Sequence, residues 1–325
     1  MLKALFNHYR LIFRPEIFHK AGYKNFFFEG WFYKLVTARG DRVIAVIPAI
    51  YNGDENRAFI QILDGTGHKS VVSFWSADKF SSAQSEFSIK IGDNSFSGSH
   101  VSLNMDGDIP LEGELIITNP VLLKSSFLRP NIMGWYSYVP FMECNHALLA
   151  FSGRLNGILV INGEKVDFTG GKVYIEKDWG SSFPEGYIWC QSNHFDDSDT
   201  SFMFSVAKIP WLFSSFIGFL SAFNYDGKQY VFATYTGAKI SKLEVTPSVV
   251  KVSVTQRKLR VDFEIQRAET GELIAPYVMN GLTKVTESLG SIITLKLTHN
   301  GKIIFEGTGL HAGLDINGID ISKFI

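Results

Sequence analysis

The chain has 325 residues, 46% hydrophobic and 19% charged, with a formal charge of -1. That composition excludes a disordered chain, and near-neutrality without a basic run interleaved with aromatics argues against a nucleic-acid partner. The length exceeds that of one ordinary hydrophobic core, so two domains, or one unusually large one, are expected.

Met1 to Phe13 has the spacing of a short amphipathic helix. The opening "MLKALFNHYRLIFRPEIFHK" has neither the uninterrupted apolar core nor the small-residue cleavage site of a signal peptide, so a cytoplasmic location is expected. Next comes "FFFEGWFYK" (Phe26 to Lys34), where Glu29 sits among six aromatics. A carboxyl group buried there would have its ionised form disfavoured and could keep its proton near neutral pH, making it a proton donor. The alternative is a Glu exposed at a strand end with the aromatics facing inward.

"DGTGHKS" (Asp64 to Ser70) reads as a hairpin turn, not a phosphate loop, because its Gly and Lys are not adjacent and it joins two strands. In "MGWYSYVPFMECNHALLAF" (Met133 to Phe151), Trp135, Glu143, Asn145 and His146 precede an apolar strand. Alternation puts Glu143 and Asn145 on one face and Cys144 and His146 on the other. His146 fits either a catalytic role or that of a satisfied core histidine.

"EKDWGSSFPEGYIWCQSNH" (Glu176 to His194) is the densest polar and aromatic cluster. If Tyr187 to Phe195 is a strand, Trp189, Gln191 and Asn193 project from one face. That face is too polar for a plain core and too aromatic for a plain surface, and suits a pocket wall. "HFDDSDT" (His194 to Thr200) lacks calcium-loop spacing and reads as a solvated turn. No metal or cofactor signature is found.

The longest uncharged run, Ile209 to Tyr225, is shorter than the ~20 residues that span a bilayer. It fits either a buried strand pair with its loop or an apolar lip that touches a membrane or a lipid. Asn-Gly at Asn52, Asn156, Asn162, Asn280, Asn300 and Asn317, and Asp-Gly at Asp64, Asp106 and Asp226, mark hairpin turns between alternating segments such as "SFMFSVAK" and "LRVDFEIQR". Ala275 to Thr286 is ambiguous between helix and strand. About eight strand-like segments lie on each side of Glu176, so the expected fold is all-β with two barrel-like halves, 1–180 and 181–325. The two cysteines, Cys144 and Cys190, have no CxxC partner and are expected to be free, buried thiols.

"FFEGWFYK", "GWYSYVPF" and "YIEKDWGSSFPEGYIWCQSNHF" together resemble the tocopherol cyclase family, with a more distant likeness to lipocalin-like carotenoid hydratases. Weaker echoes continue through "FNYDGKQYVFATYTGAKISKLEVTP" to "ELIAP". The resemblance implies two consecutive lipocalin-like antiparallel β-barrels and cofactor-free chemistry on an isoprenoid tail. In cyclases of this kind the alkene of a prenylated quinol is protonated and the phenolic oxygen captures the cation; the hydratases add water to an isoprenoid double bond. On that basis Asp178 and Glu29, then Glu176 and Glu143, are acid candidates with His146 beside them. Trp31, Trp135, Trp179 and Trp189 would wall the ligand, and Gln191 and Asn193 would orient it. Asp178 stands where the plant-type motif has Asn. An enzyme, a carrier of an isoprenoid lipid and a structural module whose 46 aromatics (28 Phe, 12 Tyr, 6 Trp) only fill cores all remain open.

Overall fold

Period-two alternation becomes antiparallel sheet across the computed structural model, which describes residues 11–19, 26–53, 55–140, 142–196, 199–277 and 281–324. The first sheet comprises β1 (Phe27–Val36), β2 (Val43–Asn52), β3 (Arg57–Asp64), β4 (Lys69–Ser76), β5 (Phe80–Ser82), β6 (Ser88–Ile91), β7 (Asn94–Ser97), β8 (His100–Met105), β9 (Leu111–Leu122), β10 (Cys144–Ile161), β11 (Glu164–Asp167) and β12 (Lys172–Gly180). Its order is β4-β3-β2-β1-β12-β10-β9-β8-β7-β6-β5, with β11 on β10, and it curls into a nearly closed barrel.

The second sheet comprises β13 (Gly186–Ser192), β14 (Ser201–Trp211), β15 (Ser214–Tyr225), β16 (Lys228–Ala233), β17 (Lys239–Val245), β18 (Val249–Gln256), β19 (Leu259–Gln266), β20 (Gly271–Tyr277), β21 (Gly281–His299) and β22 (Lys302–Gly318). Its order is β16-β15-β14-β13-β22-β21-β19-β18-β17, with β20 on β21. The all-β expectation therefore holds, although the two sheets, with twelve and ten strands, each exceed the count of about eight read from the sequence. The ambiguous segment at Ala275 to Thr286 is strand on both sides of residues 278–280, which lie outside the described residues. So does most of the expected Met1 to Phe13 helix; residues 11 and 12 are helical.

Three dipeptide turns behave as their chemistry demands. Asn162-Gly163, Asp226-Gly227 and Asn300-Gly301 each link paired strands with both residues at positive φ. Asn156-Gly157 does not turn: it lies within β10, where a Cβ on Gly157 would sit 2.2 Å from the Glu114 carbonyl oxygen. Glycine is needed there for close backbone approach.

The chain divides into two compact units, Met1–Phe183 with Leu273–Lys284, and Pro184–Glu272 with Val285–Ile325. Within the first, Gln61 ties residue 274 through both ends of its amide: Nε2 donates to the Ile274 carbonyl at 2.9 Å and Oε1 accepts from its N–H at 2.7 Å. The core of that unit is aliphatic and aromatic, including Trp31, Tyr33, Leu35, Val173 and Ile175. In the second unit Phe202 and Phe204 of β14 meet Phe263 of β19 edge-on at 4.9 and 5.1 Å. Both cysteines are free, Cys190 buried and Cys144 half-buried. No helix among the described residues is long and apolar enough to cross a membrane, which leaves strands unaddressed.

β12 positions the site. It pairs with β1 (Glu29↔Trp179, Gly30↔Asp178, Trp31↔Lys177, Phe32↔Glu176) and with β10 (His146↔Asp178, Ala147↔Lys177, Leu148↔Glu176). Directly opposed residues share a face. Val173, Ile175, Lys177 and Trp179 therefore look into the barrel core, whereas Tyr174, Glu176 and Asp178 look the other way.

Candidate functional site

On the core face, Glu29 and Lys177 form an ion pair at 2.7 Å with both side chains fully buried. The alternative of an exposed strand-end Glu is thereby overturned. The backbone N–H of His19 donates to both Glu29 oxygens at 2.9 Å. Lys177 uses its remaining protons on the Ile17 carbonyl at 2.7 Å and His19 Nδ1 at 3.3 Å. Its ammonium also sits 4.7 Å from the Trp31 ring centroid and 4.8 Å from that of Trp179, and Trp31 Nε1 donates to the Glu16 carbonyl at 2.8 Å. Burial raises the Glu29 pKa against the pull of the Lys177 charge, and burial lowers that of Lys177 against the Glu29 charge. The geometry, with every ammonium proton spoken for and the carboxylate doubly capped, is that of a closed charged pair.

The outward face carries a different arrangement. His146 Nδ1 donates to Asp178 Oδ1 at 2.8 Å, and His146 Nε2 lies 3.7 Å from Glu176 Oε2 without a hydrogen-bond partner among the described residues. Tyr174 Oη donates to Glu176 Oε2 at 2.6 Å. Burial alone would lower the His146 pKa, but the charges of Asp178 and then Glu176, with the Asp178 hydrogen bond, push it up to about 9. His146 is thus an imidazolium at neutral pH, 12% exposed, with one N–H unspent. The same three residues are the cation-binding candidate among the described residues, their ligand atoms within 4.8 Å of one another. Here the imidazolium itself supplies the positive charge between the two carboxylates.

The remaining expected residues lie elsewhere. Trp135 is 45% exposed on a 3-10 turn (Gly134–Tyr138), stacked on Tyr136 at 4.1 Å. Glu143 contributes its carbonyl, which accepts from the Ser181 N–H at 2.9 Å. That contact explains Gly180, whose added Cβ would lie 2.1 Å from the same oxygen.

Trp189, Gln191 and Asn193 belong to the second unit and are buried. Trp189 lies against Gly313, where a Cβ would come within 2.6 Å of the indole. Gln191 is fully buried with no partner for either end of its amide among the described residues. Asn193 Oδ1 accepts from His194 Nδ1 at 2.8 Å. On the same face as Trp189, Tyr187 Oη donates to Asp315 Oδ2 at 2.8 Å, and Glu287 opposes Asp315 across β21 and β22.

Sequence reasoning missed Lys177, His19, Tyr174, Tyr187, Asp315 and Glu287. Only Lys177 had a signal: in "VYIEKDWG" it falls in step with the apolar Val173 and Ile175. A cavity of about 900 Å³ lies in the first unit, walled by Ile17, Phe18, Phe27, Tyr51 and Phe80 among others, with no acid or histidine among the described residues of its wall.

A tocopherol cyclase-like family model matches residues 124–318, more than half of the chain. The chloroplastic tocopherol cyclase of Zea mays is 25% identical over 197 residues, covering 57% of this chain and 41% of that protein. The chain spans about two fifths of the length of the curated relatives it matches. Among solved structures, kievitone hydratase from Nectria haematococca aligns over 90% of this chain and 89% of its own, with TM-score 0.54 and 14% identity. CghA aligns over 91% and 89%, with TM-score 0.57 and 9% identity. These two likenesses are of fold. The chain belongs to the tocopherol cyclase-like family.

Proposed function

We propose that this family member is an enzyme that isomerises a lipophilic prenylated quinol by cofactor-free proton transfer, with His146 as the group that gives and regains the proton. The observation that carries the reading is the buried imidazolium, held by Asp178 at 2.8 Å with its Nε2–H unspent. The names of the curated relatives support the substrate class.

In this mechanism Nε2–H protonates the trisubstituted alkene, and the positive charge moves from the imidazole to the tertiary carbon. An imidazolium with a pKa of about 9 is a weak acid for that step. What offsets the weakness is the pair of carboxylates, Asp178 and Glu176, which face the new cation as they faced the old one. The phenolic oxygen then attacks the cation, its proton returns to Nε2, and mass and charge are unchanged. Asp178, first among the acid candidates, becomes the group that orients His146 and fixes its proton on Nδ1.

Incubation with a short-chain prenylated hydroquinone tests the reading. Cyclisation gives a product of unchanged mass and altered retention, and His146→Gln should stop it. A product heavier by one water would instead indicate a hydratase. A carrier is the second reading, favoured by the cavity whose described wall residues include apolar Ile17, Phe18 and Phe27 and no acid or histidine; substrate that co-purifies unchanged and is not turned over would establish it.

A further inference from the structure

The β14–β15 hairpin outruns both of its neighbours. Pairing with β13 ends at Tyr187↔Ala207 and pairing with β16 at Leu220↔Ala233. Beyond them β14 and β15 stay paired through Lys208↔Ile217, Ile209↔Phe216, Pro210↔Ser215 and Trp211↔Ser214. At ~3.4 Å per residue these pairs make a two-stranded shaft roughly 13 Å long. Trp211 and Phe216 stiffen it with an edge-to-face contact at 5.8 Å.

The apex is the anomaly. Leu212 and Phe213 are 72% and 105% exposed, and Leu212 is held at φ 52. Three other two-residue hairpin turns put Asn or Asp followed by Gly at such positions, and a fourth puts the charged pair Arg257-Lys258 there; the β14–β15 turn alone among these five is apolar. A leucine in the left-handed region gains nothing locally, and a bare Leu-Phe pair gains nothing from its own fold. Its benefit must come from something outside the chain.

Polarity along the ribbon indicates what that is. Lys208 stands at the base, tied to Glu185 at 2.7 Å. Then come Pro210 and Trp211, then Leu212 and Phe213, then Ser214 and Ser215, with no charge from Ile209 to Tyr225. Charge, then tryptophan, then aliphatic and phenyl groups is the order of a bilayer interface read from water inward. Among the described residues no strand pairs with the shaft's backbone edges, so they must stay among water and headgroups, which limits entry to the turn.

We propose that this ribbon is a membrane-inserting finger: Leu212 and Phe213 enter the acyl region of a bilayer and Trp211 rests at headgroup level. The inference is independent of His146 and of the reaction assigned to it.

The test is co-sedimentation of the full chain with extruded phosphatidylcholine vesicles at physiological salt. The wild type should pellet with the vesicles. Leu212→Gly combined with Phe213→Ser should reduce the partition at least tenfold while the melting temperature holds or rises, because glycine takes positive φ without strain. Phe213→Trp should retain binding. A wild type that stays in the supernatant, or a double variant that pellets equally, overturns the proposal. So does lipid-free, concentration-dependent self-association that the double variant abolishes, since the apex would then dock a second copy. Turnover of a water-dispersed quinol, measured separately, keeps this outcome distinct from that of the proposed reaction.

Discussion

The two faces of β12 hold ionisable groups in opposite conditions. On the core face, Lys177 and Glu29 are fully buried and each proton of the ammonium has an acceptor. On the outward face, Asp178 and Glu176 hold a histidine that keeps one N–H unspent. Closing a charge network removes its reactivity, whereas leaving one donor open preserves it; one strand does both because its side chains alternate.

The largest expected effect tests the closed face. Lys177→Met leaves Glu29 buried without its counter-charge and should cost about 3–5 kcal/mol in denaturant unfolding. A loss under ~1 kcal/mol would mean the pair is not closed. Glu29→Gln sharpens the contrast further: a variant that stays folded but is inactive would return the proton to the core face.

On the open face, stability should depend on pH through His146. Its folded pKa of about 9 exceeds the ordinary 6.5, so its contribution is complete below 6.5 and disappears as pH rises through 9. The shift corresponds to roughly 3 kcal/mol. Urea midpoints measured from pH 6 to 10 should fall across that window in the wild type and stay flatter in His146→Gln. Activity in His146→Gln should drop by at least ~10²-fold; a small drop would break the assignment. Asp178→Asn should move the alkaline limb of the activity profile below 9 without abolishing turnover at lower pH, and an unmoved limb would remove Asp178 from the network. Smallest is Tyr174→Phe, which strips Glu176 of a 2.6 Å donor and should cost about 1.5–3 kcal/mol in thermal unfolding.

Alternation and Asn-Gly turns made the antiparallel sheets legible from the chain alone. The short strands β5 to β7 were less so, because three- and four-residue segments carry too few periods to register. Glu29, His146, Glu176 and Asp178 stood out because polar groups among aromatics are conspicuous. Their partition between two faces did not, since it depends on the pairing of β1, β12 and β10. Lys177, flanked by Glu176 and Asp178, resembles a surface charge until Trp31 is known to lie opposite it. The finger at Leu212 and Phe213 was half legible: the uncharged run was plain, but only the pairing shows where the shaft leaves its neighbours.

The strap from Arg14 to His19 has a consequence for how the barrel forms. Lys177 reaches the Ile17 carbonyl across 160 residues of chain, so the contact cannot form until nearly the whole first sheet has been synthesised. Closure over such a span is entropically slow. A β1–β12 pairing slipped by two residues so that Tyr33 opposed Lys177 would take Lys177 away from Glu29 and leave both charges buried alone. The ion pair thus acts as a late checkpoint on assembly, penalising an alignment of the first and last strands of the barrel that parts the two charges.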